Sequence, residues 1–267
     1  MGAAPSAILP DPSVARRVDR EMFLLMHGTA ALLMQVAHPL VAAGVEQHSD
    51  FRRDPFGRLV RTLDTTLAVV FGDERAAQRS IDRMNRIHRA VRGTSAGGRA
   101  YRAMDPALLL WVQTTLVLGS LRLYEKVMGP LPAEEREAYW AETKPIARVL
   151  GIPPDRMPGA LAELERYERD MLAGPVMPDA TSVSVGRGVL RPLPWLPDLF
   201  YWPSDALTAA LLPPSLRAAF GLRYGAAERW CFRAAIVTVR ALRRLLPPFL
   251  TVVPQARRYE SAARARR

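Results

Sequence analysis

The stretch from Met22 to Val45 contains no Asp, Glu, Lys or Arg, so it must be buried inside a protein core or inside a bilayer. His27, Gln35 and His38 interrupt it, Pro39 and Gly44 break its second half, and Gly28, Thr29 and several alanines keep its hydrophobicity low. A membrane span would leave these polar groups without partners, which favours a buried central helix ending near His38. With 267 residues and 49% apolar content, the chain can bury one large core around such a helix.

Apolar periodicity between turn residues predicts helices near 17–38, 56–71, 73–92, 105–128, 133–149, 158–172, 204–212, 215–221 and 226–246. No alternating strand pattern is convincing. Gly97-Gly98 reads as a flexible junction. The proline-rich stretch from Gly174 to Pro203 reads as an extended loop wrapping the helices, pinned down by Trp195, Phe200 and Trp202. The expected architecture is all-α: a single multi-helix domain over 16–250 with the irregular insert at 174–203, a flexible N-terminus at 1–15 and a basic tail at 251–267.

Charge is uneven. From Arg217 to Arg267 the chain carries 12 Arg and no Lys against Glu228 and Glu260, which is +10 of the formal +11. Within the helix expected at 226–246, Arg229, Arg233, Arg240, Arg243 and Arg244 are read as one face, and Cys231, Ala235, Thr238, Leu242 and Leu245 as the other. Such a helix can pack its apolar side on the domain or lie on an anionic membrane surface. Nucleic acid is not expected as a partner, because no reading motif or aromatic platform accompanies the charge. The lone Cys231 excludes an internal disulfide, and the N-terminus lacks the basic start and apolar run of a signal peptide. The expectation is a cytoplasmic protein, with peripheral membrane contact through its basic end.

His88 is the most informative single residue. In the helix expected from Asp73 as N-cap to about Arg92, with Gly93 as its stop, Ala77, Ile81, Met84, His88 and Val91 recur at helical spacing, while the arginines fall elsewhere. The imidazole therefore points inward. It is either a core histidine bonded to a neighbouring carbonyl or an axial ligand for an iron porphyrin. Other metal schemes are poorer. His27 and His38 on one helix would stand about 16 Å apart, and neither His-Glu-x-x-His nor paired Glu-x-x-His occurs. No Gly-x-Ser-x-Gly or phosphate loop is present. Arg58, Arg61 and Thr62 fall at i, i+3 and i+4, so two guanidiniums and a hydroxyl converge; they form a solvated cluster with Asp54 or Asp64, or a clamp for carboxylates.

Several short patterns occur in a fixed order: Gln35-Val36-Ala37-His38-Pro39, Gly44 to Ser49, Asp54-Pro55 with Arg58 and Thr62, Phe71-Gly72, and Ile87-His88-x-x-Val91-x-Gly93. Tyr101, Asp105-Pro106 and Leu110-Trp111-Val112 follow, and later Leu212-Pro213-Pro214-Ser215-Leu216-Arg217 with Gly221-Leu222. This order resembles the MpaB and latex-clearing-protein (rubber oxygenase) family. The resemblance implies a helical fold around a buried pocket for non-covalent haem b, with His88 as the proximal iron ligand, Arg58 and Thr62 as polar distal-side residues, and Arg61 in place of the rubber oxygenase's distal lysine. His38 joins the expected cofactor-binding set, and Glu46 is the nearest acid before Arg58 for a catalytic base. Two departures matter. Arginine stays protonated and has no lone pair for iron, and Gln113 follows Trp111-Val112 where many relatives carry histidine. The expected function is a haem b-dependent oxygenase using dioxygen or peroxide on an apolar, isoprenoid or lipid-like substrate, for which an apolar wall of the kind Met22 to Met34 could provide would be suitable. The alternative is a non-catalytic helical protein that binds haem, or associates with membranes through the basic C-terminal region.

Overall fold

A computed structural model describes residue 9 and residues 12–49, 64–193 and 195–264. In chain order it contains α1 (Val14–Asp19), α2 (Gly28–Val36), α3 (Pro39–His48), α4 (residues 64–71), α5 (Glu74–Ala90), β1 (Arg92–Thr94) and β2 (Ala100–Arg102). These are followed by α6 (Pro106–Met128), α7 (Ala133–Val149), α8 (Leu161–Ala173), α9 (Ala180–Leu190), α10 (Trp202–Leu211), α11 (Pro214–Ala219), α12 (Ala226–Leu245), α13 (Pro248–Thr251) and α14 (Pro254–Arg264). The protein is all-α apart from one short hairpin among the described residues.

The central helix is α6, not the charge-free stretch. Asp105 caps it by accepting from Ala107 N at 2.9 Å, Pro106 occupies the first turn where no N–H is needed, and Gly129 ends it at φ 101°. Its first turns bury Trp111 with Leu33, Met34, Val185 and Phe220, and its later turns bury Leu118, Leu121 and Leu123 with Phe23, Trp140 and Leu164. Each such fully buried apolar side chain contributes about 1.5–3 kcal/mol. The Trp111 indole donates to Met34 O at 3.1 Å, which locks α6 to α2. Length and composition would let α6 cross a membrane, but most of it is buried in protein.

The charge-free stretch bends instead of running straight. Met22–His27 is a 3-10 segment, α2 follows it, and α3 leaves at 106°. The corner is local chemistry: His38 is extended, its Nδ1 accepts from Leu40 N at 3.2 Å, and Pro39 starts a new helix. Pro39 and Gly44, expected to break the pattern, lie inside α3. Phe23, Leu33 and Met34 are spent in the two cores, so the Met22–Met34 stretch does not present a free apolar wall.

His27 is buried against α6, where a side chain on Gly119 would place its Cβ 1.9 Å from the imidazole. Burial, aided by the Arg122 charge, lowers its pKa to about 4. Between the ordinary value of 6.5 and about 4 the unfolded chain binds a proton that the folded ring refuses, so stability contributed by His27 falls as pH drops through that window. Asp19 acts oppositely. Burial raises it to about 7, against the hydroxyl of Tyr139, which donates to it at 2.8 Å, so its contribution falls as pH rises from about 4 towards 7. The two slopes offset each other in the wild type. Asp19→Asn is expected to unmask the first, with urea-unfolding stability rising by roughly a kcal/mol per pH unit between pH 4 and 6.5; a flat profile would show that His27 titrates normally.

Three expectations are corrected by packing. The 174–203 stretch is not a continuous loop, since Asp179 accepts from Ser182 N at 2.7 Å and starts α9, which packs on α2 and α3. Gly186 permits this contact, because a Cβ there would meet the Phe220 ring at 2.4 Å. The rest of the insert is not pinned by Trp195 and Phe200, which are 74% and 66% exposed. Arg191 holds it, pairing with Asp198 and Asp205 and stacking 4.8 Å from the Tyr201 ring. On α12, Arg243 turns inward to a buried Glu21 at 2.7 and 3.0 Å, while Leu242 and Leu245, expected to pack, are exposed. Beyond α12, Val252, Val253 and Ala256 are buried, Val253 N bonds to Arg20 O at 2.9 Å, and Pro254–Arg264 is helical.

Candidate active site

Helix α5 begins as the sequence indicates, with Asp73 accepting from Ala76 N at 2.7 Å. Its apolar stripe fades towards the C-terminal end: Ala77 and Ile81 are buried, whereas Met84, His88 and Val91 are half-buried. His88 therefore stands at the edge of the core. Its Nδ1 is nonetheless cut off from solvent and has no hydrogen-bond partner among the described residues, and burial holds the ring's pKa below the ordinary value. A core histidine normally satisfies such an atom with a carbonyl. One turn earlier Asn85 donates to Val149 O at 2.9 Å, tying α5 to the end of α7, and leaves its own Oδ1 buried without a partner.

The helix stops at Ala90, earlier than expected, because Val91 turns extended and Arg92–Thr94 pairs antiparallel with Ala100–Arg102. Gly97-Gly98, read as a flexible junction, is the tip of this hairpin, with Gly98 at φ 75°. Gly93 is not a helix stop; it sits opposite Tyr101 within the ladder. A Cβ there would lie 2.6 Å from Gln47 Oε1 and 2.8 Å from the Tyr101 hydroxyl. That hydroxyl donates to Gln47 Oε1 at 2.7 Å, while Gln47 Nε2 donates to Thr94 O at 2.9 Å and His48 Nε2 donates to Arg92 O at 3.1 Å. Gly44 faces the Tyr101 ring and Val91 across a gap that fits a methyl group at 3.5 Å.

Gly44, Gln47, His48, Gly93 and Tyr101, separate in sequence, are thus one clamp that sets the exit of α5, and with it His88, against α3. Sequence reading noted Gly44, Gly93 and Tyr101 as parts of a pattern and missed Gln47 and His48 as their partners; a signal was available in the polar end of an otherwise apolar helix. Gly93→Val is expected to displace Gln47 and destabilise the protein by about 1–3 kcal/mol, seen as a lower thermal midpoint; an unchanged midpoint would show that the clamp carries no strain-sensitive packing.

The other sequence-derived residues are distributed as follows. His38 is buried at the α2–α3 corner, with Nδ1 occupied by Leu40 N, and burial lowers its pKa with help from the Arg99 charge. Glu46 is exposed on α3, beside Gln47 of the clamp. Gln113 is half-buried on α6. Arg58, Arg61 and Thr62 lie outside the described residues. Among the described residues no three His, Cys, Asp or Glu side chains gather into a metal-ligand group.

Comparison with protein families matches residues 15–241 to the ER-bound oxygenase mpaB/B'/rubber oxygenase catalytic domain. The chain belongs to the mpaB/rubber oxygenase family. The match spans the helical domain from α1 into α12, and it makes this an oxygenase catalytic domain. No curated protein and no solved structure matches the chain. Membership in the mpaB/rubber oxygenase family accounts for the order of the short patterns, and the clamp around Gly93 gives several of them a shared structural reason.

Proposed function

We propose that this member of the mpaB/rubber oxygenase family is a haem b-dependent oxygenase acting on an apolar, isoprenoid or lipid-like substrate, with His88 as the residue that would hold the haem iron. The observation that carries the reading is the orphaned imidazole. Burial lowers the pKa of His88, its Nδ1 meets no hydrogen-bonding group among the described residues, and the clamp orients the segment that presents it. A neutral imidazole with no competing hydrogen bond suits a metal ligand. Because the described residues offer no convergent set of protein ligands, a porphyrin that brings its own four nitrogens fits better than a bare ion.

When bound, the haem would supply activation of dioxygen or peroxide. The chain's own contribution is placement and polarity. Arg58, Arg61 and Thr62 carry donors at helical spacing, and Arg61, always protonated, can polarise an oxygen or hold a propionate but cannot replace a lysine as ligand. His38, buried at the α2–α3 corner with its Nδ1 engaged in capping α3, would serve the cofactor pocket from that fixed position and not as the iron ligand, and Glu46 is the acid on the adjoining helix for a proton-accepting role. The family description names a rubber oxygenase, and rubber is an apolar material, which supports an apolar substrate here.

Titration of the purified protein with haemin tests the reading. A Soret band saturating at one haem per chain, shifted from free haemin, is expected; failure to form it would overturn the proposal.

A further inference from the structure

On α12 the side chains that reach the core are Phe232, Ile236 and Val239, with Arg243 drawn to Glu21 beside them. The opposite side is not a purely solvated face. Trp230, Ala234, Val237, Ala241 and Leu245 follow at spacings of four, three, four and four, forming one stripe, and Trp230, Val237 and Leu245 are 70%, 63% and 80% exposed. Arg229, Arg233, Arg240 and Arg244 form the adjoining row. Arg240 is tied to the end of α6 through Lys126 O and Val127 O, which leaves Arg229, Arg233 and Arg244 exposed and without ion pairs among the described residues. Past the helix, Phe249 and Leu250 are 56% and 49% exposed.

The first turn of α12 also meets the proline-rich insert. The Trp202 indole donates to Glu228 Oε1 at 3.3 Å, and the neighbouring Leu199 and Phe200 are exposed. Glu228 is the sole acid of α12, and its other oxygen accepts from Gly225 N at 2.7 Å.

We propose that the outer face of α12 docks on an anionic lipid bilayer, with Trp230, Val237 and Leu245 entering the interface and Arg229, Arg233 and Arg244 meeting lipid phosphates. Charge complementarity decides the occupant. A second copy would bring like-charged arginine rows together and offers no carboxylate on this face, whereas a surface of anionic headgroups over acyl chains complements both the row and the stripe. The proposal does not depend on haem.

Co-sedimentation of the full-length protein with vesicles of phosphatidylglycerol and phosphatidylcholine, against phosphatidylcholine alone, tests it. Binding to the anionic vesicles is expected to weaken about a hundredfold in an Arg229→Gln, Arg233→Gln, Arg244→Gln variant and more than about tenfold in a Trp230→Ser, Val237→Ser, Leu245→Ser variant. Since all six side chains are exposed, circular dichroism should be unchanged. Equal binding by wild type and both variants, or no preference for anionic vesicles, would overturn the proposal. A vesicle-free dimer abolished by the serine variant would also overturn it and assign the stripe to a second copy.

Discussion

His88→Ala is expected to abolish specific haem binding, so that haemin added to the variant retains a spectrum close to that of non-specifically bound haemin. The effect should be large because His88 is the sole imidazole on α5, and the clamp that presents it uses His48 for a backbone bond. His38 cannot take its place without leaving the α2–α3 corner, where its Nδ1 caps α3. The variant should fold, since removing a half-buried side chain whose Nδ1 makes no hydrogen bond loses little protein contact. Normal circular dichroism with a lost Soret shift is the expected pair of readings, together with rescue of the spectrum by added imidazole, which can enter the space the truncation leaves. Full retention of the wild-type spectrum would move the ligand elsewhere.

The largest stability effect is expected at the pair formed by Glu21 and Arg243. Arg243 places two guanidinium nitrogens at 2.7 and 3.0 Å from the carboxylate of Glu21, which is 3% exposed, and the bond raises the arginine pKa further. Glu21 also bridges to Val252, so this pair joins α12, the turn after α1 and the segment that leads into α14. Arg243→Met leaves a buried carboxylate without its partner, which costs about 3–5 kcal/mol in enclosed pairs. Water reaches part of the Arg243 side chain, so the lower end, about 3 kcal/mol, is expected here. Chemical denaturation of Arg243→Met and of Arg243→Met with Glu21→Gln measures it. The double variant should recover most of the loss, because an amide is far less costly to bury than an unpaired charge; equal loss in both would mean that the methylene packing of Arg243, not its charge, holds the region.

Helices with both a stripe and a stop were legible in the sequence. The ranges expected at 105–128 and 133–149 match α6 and α7 closely, since Asp105-Pro106 and Gly129 bound the first and Glu134, Glu135 and Gly151 the second. Less was legible where two signals conflicted. Prolines around 174–203 concealed α9, whose start depends on one aspartate cap and whose place depends on a glycine fitting under Phe220. Periodicity on α12 divided arginines from apolar residues correctly as types, but not by burial, because a helix that packs on two neighbours through a narrow face leaves apolar positions outside and draws one arginine in.

The family's pattern and the helical spacing that puts His88 on the same stripe of α5 as Ala77 and Ile81 were determined by the sequence itself, since residue type and spacing fix helix faces. Tertiary structure alone decided that Gly44, Gln47, His48, Gly93 and Tyr101 form one clamp, that His88 Nδ1 is buried without a partner among the described residues, and that Glu21 and Arg243 meet across more than two hundred residues. The physical reason is that hydrogen bonding and desolvation depend on which distant surfaces come within about 3 Å, and that distance is set by the packing of whole helices.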